Sequence, residues 1–204
     1  MKMLVVAAHP DDEVLGCGGT IAKHIKAGDE VQVLILAQGR EDLRMSARKA
    51  LNKLGVSLKN MHFANLEDQS LDIYAFSDIV GIIERYSADI VYTHDENDLN
   101  LDHQITAQAV KTAFRPIPGQ QVKTILAFEV LSSSEWGKGF TPDYFVDISK
   151  TYKHKIAALE CYASEMRHHP HPRSFSGVDA LIRLRGMSVG VSAAEAFKVV
   201  RMVC

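Results

Sequence analysis

Five consecutive residues, His9-Pro10-Asp11-Asp12-Glu13, put one imidazole and three carboxyl groups into a single short stretch. His9 and Asp12 are three positions apart, so one helical turn carries both side chains to the same side. A His and an Asp converging in that way suit a divalent metal of intermediate softness, zinc above all. Asp11 then stands beside the metal without having to bind it. The same acids at a helix start also complement the helix dipole and cap free N–H groups. On these five residues alone, metal site and helix cap are evenly balanced.

A second stretch shifts the balance. Residues 93–103 read Thr-His-Asp-Glu-Asn-Asp-Leu-Asn-Leu-Asp-His. A third ligand from here gives two His and one carboxylate with a position left for water, the ligand set of a hydrolytic zinc site. His103 is the residue chosen. Asn100 reads as the N-cap of the following helix, with His103 in its first turn, and a capped first turn holds a ligand rigidly.

The elements that must position these residues alternate. Met3–Ala8 is a near-continuous apolar run of the buried parallel-strand type, and it leads straight into His9. A helix follows over about Val14–Ala27, then an apolar strand, Val31–Ala37, and a helix over Leu43–Leu54 ended by Gly55. Val56–Phe63 holds a short strand, Ala75–Ser87 a helix, Asp89–Thr93 a strand and Leu101–Phe114 a helix. Strand patterns at Lys123–Leu131 and Tyr144–Ile148 precede helices at Ile148–Glu165 and Val178–Leu184. Arg167–Arg173 reads as a loop, and Ala194–Val203 as a helix or edge strand. This alternation predicts an α/β fold with a mostly parallel central sheet and helices on both faces. One domain is expected over residues 1–204, with a core of about 1–122 and a C-terminal strand and helix elaboration over about 123–204. Both candidate stretches then lie at the carboxyl ends of strands, where open α/β sheets bind ligands.

Composition sets bounds. The formal net charge is −2, so nothing marks the chain for nucleic acid or an anionic membrane. Cys17, Cys161 and Cys204 are far apart and form no metal or redox pair, which fits a reducing, cytoplasmic setting. No segment approaches the ~20 apolar residues of a membrane span.

The stretch Ala8-His9-Pro10-Asp11-Asp12-Glu13-Val14-Leu15-Gly16-Cys17-Gly18-Gly19-Thr20, with Asp98…Asp102-His103, resembles the PIG-L (LmbE-like) zinc deacetylases. Leu54-Gly55-Val56, Asp68–Asp72, Arg185-Gly186 and Ala194-Glu195-Ala196-Phe197 extend the resemblance to nearly the whole chain. It implies a Rossmann-like three-layer sandwich and one Zn2+ held by His9, Asp12 and His103, with Asp11 as general base. It also implies removal of the N-acetyl group from an amino-sugar conjugate of the GlcNAc type, a small-molecule partner, and self-association into a homo-oligomer. Arg44 matches a family position that contacts substrate, although a solvated helix face explains it equally. Asp98 is grouped with it around the substrate, or behind a ligand whose ring it orients.

One departure from the family stands out. Its frequent His three residues before the last ligand is Asn100 here. An amide donates a hydrogen bond to an oxyanion but supplies no proton at neutral pH. Asp11 is therefore read as both base and acid, with Asn100 or His94 polarising the carbonyl. A zinc hydrolase of another amide, or a metal-binding homologue with little turnover, is the alternative. A dinucleotide-binding oxidoreductase is disfavoured, because G-x-G-x-x-G would need Gly at Ile21 and three acids would repel a pyrophosphate.

Overall fold

Period-two alternation along β1 (Lys2–Ala7) sends Met3, Val5 and Ala7 into one apolar cluster and Leu4 and Val6 into another. A strand buried on both faces needs a layer of helices on each side, and that is the arrangement found. The structure, a computed structural model, describes residues 1–203. The remaining elements are α1 (Asp12–Lys26), β2 (Glu30–Ala37), α2 (Glu41–Lys53), β3 (Met61–Leu66), α3 (Phe76–Ile83), β4 (Ile90–His94) and α4 (Leu101–Ala113). They continue with β5 (Thr124–Phe128), β6 (Tyr144–Asp147), α5 (Tyr152–Leu159), α6 (Phe175–Met187) and β7 (Ala194–Met202). One core packs residues of α1, α2, α5 and α6 on the sheet; the other packs α3 and α4 on its opposite face.

The seven strands run in the order β3-β2-β1-β4-β5-β7-β6. The first five are mutually parallel, and β7 is antiparallel to both of its neighbours. Chain direction across the sheet reverses between β1 and β4, which opens a crevice at their carboxyl ends. Ala194–Met202 is thus neither a helix nor an edge strand but lies second from the edge, paired on both sides. The helix expected over Ile148–Glu165 is shorter, with α5 running only from Tyr152 to Leu159 before a 3-10 turn. Among the described residues, no helix is long and apolar enough to cross a membrane.

The Gly-rich run of α1 serves packing. A Cβ at Gly19 would sit 2.7 Å from Ile148 Cδ1, and one at Gly16 would collide with the Phe128 ring. These glycines let α1 lie tightly on β5 and on the segment after β6. The helix breaks at Cys17 (φ −144°, ψ 26°), which frees N–H groups in mid-helix. The Glu195 carboxylate of β7 accepts from Gly19 N at 2.9 Å and Thr20 N at 2.7 Å, and so repairs the break.

Candidate active site

β1 ends in a turn that sets the first half of the site. Asp11 takes the position before α1 with φ 112°, a left-handed conformation that costs a non-glycine residue about 1–3 kcal/mol. Its backbone N–H is held by Glu13 Oε2 at 3.0 Å, and Glu13 Oε1 in turn accepts from the Tyr162 hydroxyl at 2.5 Å. The Asp11 carboxylate makes no cap hydrogen bond. It accepts from Arg173 Nη1 at 2.8 Å instead. The helix-cap reading therefore does not hold for Asp11, and it does for Asn100, whose Oδ1 accepts from Asp102 N at 2.9 Å and His103 N at 3.4 Å.

Three lone-pair donors converge here. Asp12 Oδ2 lies 3.3 Å from His9 Nδ1 and 3.3 Å from His103 Nε2. The donor atoms of His9, Asp12 and His103 all fall within 4.8 Å of one another. The other nitrogen of each imidazole faces a carboxylate. His9 Nε2 is 2.9 Å from Asp102 Oδ2, and Asp102 Oδ1 also accepts from Leu71 N at 3.0 Å. His103 Nδ1 is 3.1 Å from Asp98 Oδ1, within ion-pair distance though off the line of a hydrogen bond. Carboxylate partners of this kind fix the tautomer that turns a lone pair toward a metal. Asp11, Asp12, Asp98 and Asp102 are buried, and of the four only Asp11 is paired with a guanidinium, that of Arg173. The surplus of negative charge and the convergent N, N, O donor set fit a divalent cation.

The charges act on one another. Burial, and then the neighbouring Asp12, push the Asp11 carboxyl up to about 7, against the pull of Arg173. Burial also acts upward on Asp98, yet the His103 imidazole and the Ser133 and Ser134 hydroxyls hold it down at about 2. For His94, burial and then His103 push the pKa well below the usual imidazole value.

His9, Asp11, Asp12, Asn100 and His103 line one cavity of about 400 Å³, within the range of small-molecule sites. Asn100 Oδ1 is engaged by the helix start, so its NH2 is the polar group left for a ligand. Three other candidates, His94, Arg44 and Asp98, lie outside the cavity lining. The His94 ring stacks on His103 at 3.9 Å between centroids, outside the cavity lining, and its Nε2 accepts from Ala8 N at 2.9 Å. A neutral ring so placed neither polarises a carbonyl in the cavity nor protonates an amine. Arg44 also stays outside the lining, with its guanidinium 5.2 Å from the centre of the Phe63 ring. Asp98 is buried behind His103 and bonded to Ser133 and Ser134, so it backs a ring and does not touch a ligand.

Several residues in or behind the lining lie outside the site candidates read from sequence. Arg173, 162 positions from Asp11, carried no signal beyond belonging to a basic loop. Asp102 sits beside His103 in sequence but serves His9. Asp68 and Gln69 belong to the stretch that carried the resemblance, and both line the cavity. Trp136 forms part of the wall.

The chain is 29% identical over 178 residues to an uncharacterized deacetylase of Escherichia coli K12, covering 79% of this chain and 90% of that one. It is 25% identical to a probable N-acetyl-α-D-glucosaminyl L-malate deacetylase of Bacillus cereus (80% and 83% covered). A 4-oxalmesaconate hydratase of Pseudomonas putida is 26% identical (79% and 73% covered). The fold is similar to that of N,N'-diacetylchitobiose deacetylase from Pyrococcus horikoshii, with TM-score 0.77 at 21% identity, over 98% of this chain and 84% of that one. Residues 4–114, which contain His9, Asp12 and His103, match the GlcNAc-PI de-N-acetylase (PIG-L) family, and the chain belongs to it.

Proposed function

We propose that the protein is a zinc-dependent deacetylase that hydrolyses the N-acetyl amide of a GlcNAc-type amino-sugar derivative. The observation that carries the reading is a carboxylate left over: Asp11 adjoins the His9, Asp12 and His103 donors, is not one of them, and opens onto the same cavity. His9 Nδ1, Asp12 Oδ2 and His103 Nε2 would hold the zinc ion. When bound, the metal polarises the amide carbonyl and lowers the pKa of water from 15.7 to about 7.

The chain's own residues do the rest. Asp11, with one oxygen fixed by Arg173, takes a proton from the attacking water on its carboxylate. The Asn100 amide donates to the carbonyl oxygen as negative charge builds there. Asp11 then returns the proton to the nitrogen as the C–N bond breaks, and free amine and acetate leave. Asn100 has no proton to give, so Asp11 serves in both directions. The reading takes residues 1–204 as one domain, because strands from both parts of the chain share one sheet. The reading takes the setting as the reducing cytoplasm, which the scattered cysteines support.

The test is a panel of N-acetylated glucosamine derivatives incubated with zinc-loaded protein. Acetate and free amine should appear in equal amounts and vanish with a chelator. Because one relative is a hydratase, the panel includes 4-oxalmesaconate, read by loss of its double bond. Hydration without acetate release from any sugar would overturn the reading.

A further inference from the structure

Three consecutive serines in the segment after β5 reach both halves of the site. Ser132, Ser133 and Trp136 line the cavity, and Ser133 and Ser134 are buried. Their backbone is fixed from several sides. Ser132 takes a left-handed φ of 71°, a region that residues other than glycine seldom adopt. The Glu135 carboxylate accepts from Ser132 N at 2.7 Å and from Ser133 N at 3.1 Å. Ser134 Oγ accepts from Val130 N at 2.8 Å. Asn97 O accepts from Lys138 N at 3.1 Å, which ties the segment to the loop after β4.

Each hydroxyl then engages a charged group of the site. Ser132 Oγ accepts from Arg173 Nε at 3.0 Å, while Arg173 Nη1 donates to Asp11 Oδ2 at 2.8 Å. The guanidinium is gripped at two N–H groups, so the direction in which it holds Asp11 depends on Ser132. Ser133 Oγ donates to Asp98 Oδ1, and Ser134 Oγ donates to Asp98 Oδ2 at 2.5 Å. Asp98 Oδ1 also faces His103 Nδ1 at 3.1 Å and accepts from Asn100 N at 2.9 Å. Both oxygens of Asp98 are thereby fixed, and with them the His103 ring and the start of α4. A hydroxyl both donates and accepts and carries no charge, so it orients these groups without neutralising them.

We propose that Ser132, Ser133 and Ser134 are positioning residues that set the base and a metal ligand from one segment, Ser132 through Arg173 and the other two through Asp98. The proposal rests on the deacetylase reading for Ser132, and on the His9, Asp12 and His103 donor geometry for Ser133 and Ser134. Asp11 and His103 are 92 positions apart in the chain. Three neighbouring hydroxyls refer both to one frame, and a misplacement of about 1 Å can cost about 10²-fold in rate.

The experiment reads the two arms separately. Ser132→Gly deletes a hydroxyl and suits the left-handed backbone. Its kcat on an N-acetylglucosamine derivative that the parent deacetylates should fall about tenfold, with KM and zinc affinity as in the parent and no recovery on adding zinc. The double variant Ser133→Ala, Ser134→Ala should bind zinc about tenfold more weakly in competition with a chelator, and turnover lost at limiting zinc should recover as zinc rises. If the double variant does not fold, Ser133→Ala and Ser134→Ala are read singly by the same competition. A merely structural segment would lower Tm in both variants and shift kcat and zinc affinity together. That joint pattern, or parental values in either variant, overturns the proposal and leaves the deacetylase reading standing. If no sugar releases acetate, the deacetylase reading falls and the role of Ser132 falls with it. The zinc competition needs no turnover and still decides the role of Ser133 and Ser134.

Discussion

Lys155 and Glu195 are 2% and 4% exposed, as deeply buried as Asp12 and His103 at 3% each, yet the two groups of charges are completed differently. Around Glu195, every acceptor has a donor. Lys155 Nζ pairs with Oε1 at 2.6 Å and with Leu15 O at 2.7 Å, while Gly19 N, Thr20 N and Thr20 Oγ1 fill the remaining positions. Around Asp12, two imidazole nitrogens and a carboxylate oxygen press together, and Asp11 is held in a strained backbone. The first group closes on itself and joins α1, α5 and β7. The second leaves lone pairs pointing at a common centre and opens on a cavity. Burial of charge alone does not mark a site; side-chain N and O atoms that converge on one point at the edge of a cavity do.

The sharpest way to break this comparison is His103→Ala. The variant should keep its fold, lose nearly all bound zinc, and lose turnover by about a thousandfold or more, because a metal supplies several kcal/mol of transition-state stabilisation. Metal content by elemental analysis decides it; a full complement of zinc would remove His103 from the site. Asp11→Asn separates binding from chemistry within the same cluster. Zinc should stay and turnover should fall by about 10²–10⁴, the usual worth of a positioned base. A variant as active as the parent would take Asp11 out of the mechanism.

Glu195→Ala tests the other side. It leaves Lys155 buried without its counter-charge and the break in α1 without a cap, which costs about 3–5 kcal/mol, or about 10 °C in Tm for a chain of this size. The fraction that remains folded should bind zinc as the parent does. Thermal unfolding followed by circular dichroism, with zinc content measured below the transition, provides both readings. If the folded variant lost its metal, the Lys155–Glu195 group would belong to the site after all.

The sequence revealed these regions unequally, for physical reasons. His9, Asp12 and His103 were legible because local spacing puts each at the end of a strand or in the first turn of a helix. The first five strands were legible because apolar runs and their Gly stops are local signals. β7 was not, since its place between β5 and β6 depends on pairing with residues 47 to 78 positions away, and its own pattern suits several states. His94 looked chemical because it follows a strand into a polar loop. Its ring direction is set by β4 and by the Ala8 N–H, neither of which has a sequence signature. Arg173 reaches Asp11 only through the folding of the C-terminal third onto α1.

Asp102 shows the same limit on a smaller scale and supports the last prediction. Its neighbour in sequence is His103, but its Oδ2 faces His9 Nε2 and its Oδ1 accepts from Leu71 N. Both partners need an acceptor. Asparagine offers only one, so Asp102→Asn sets an NH2 group against either the His9 ring or the Leu71 N–H. The ring loses its fixed tautomer or its support, and zinc affinity should fall by about 10–100-fold. Turnover at saturating zinc should stay close to that of the parent, because Asp102 neither binds the metal nor faces the substrate. Competition with a chelator of known affinity measures the difference. If affinity were unchanged, Asp102 would belong with Glu195 among the groups that hold the chain together.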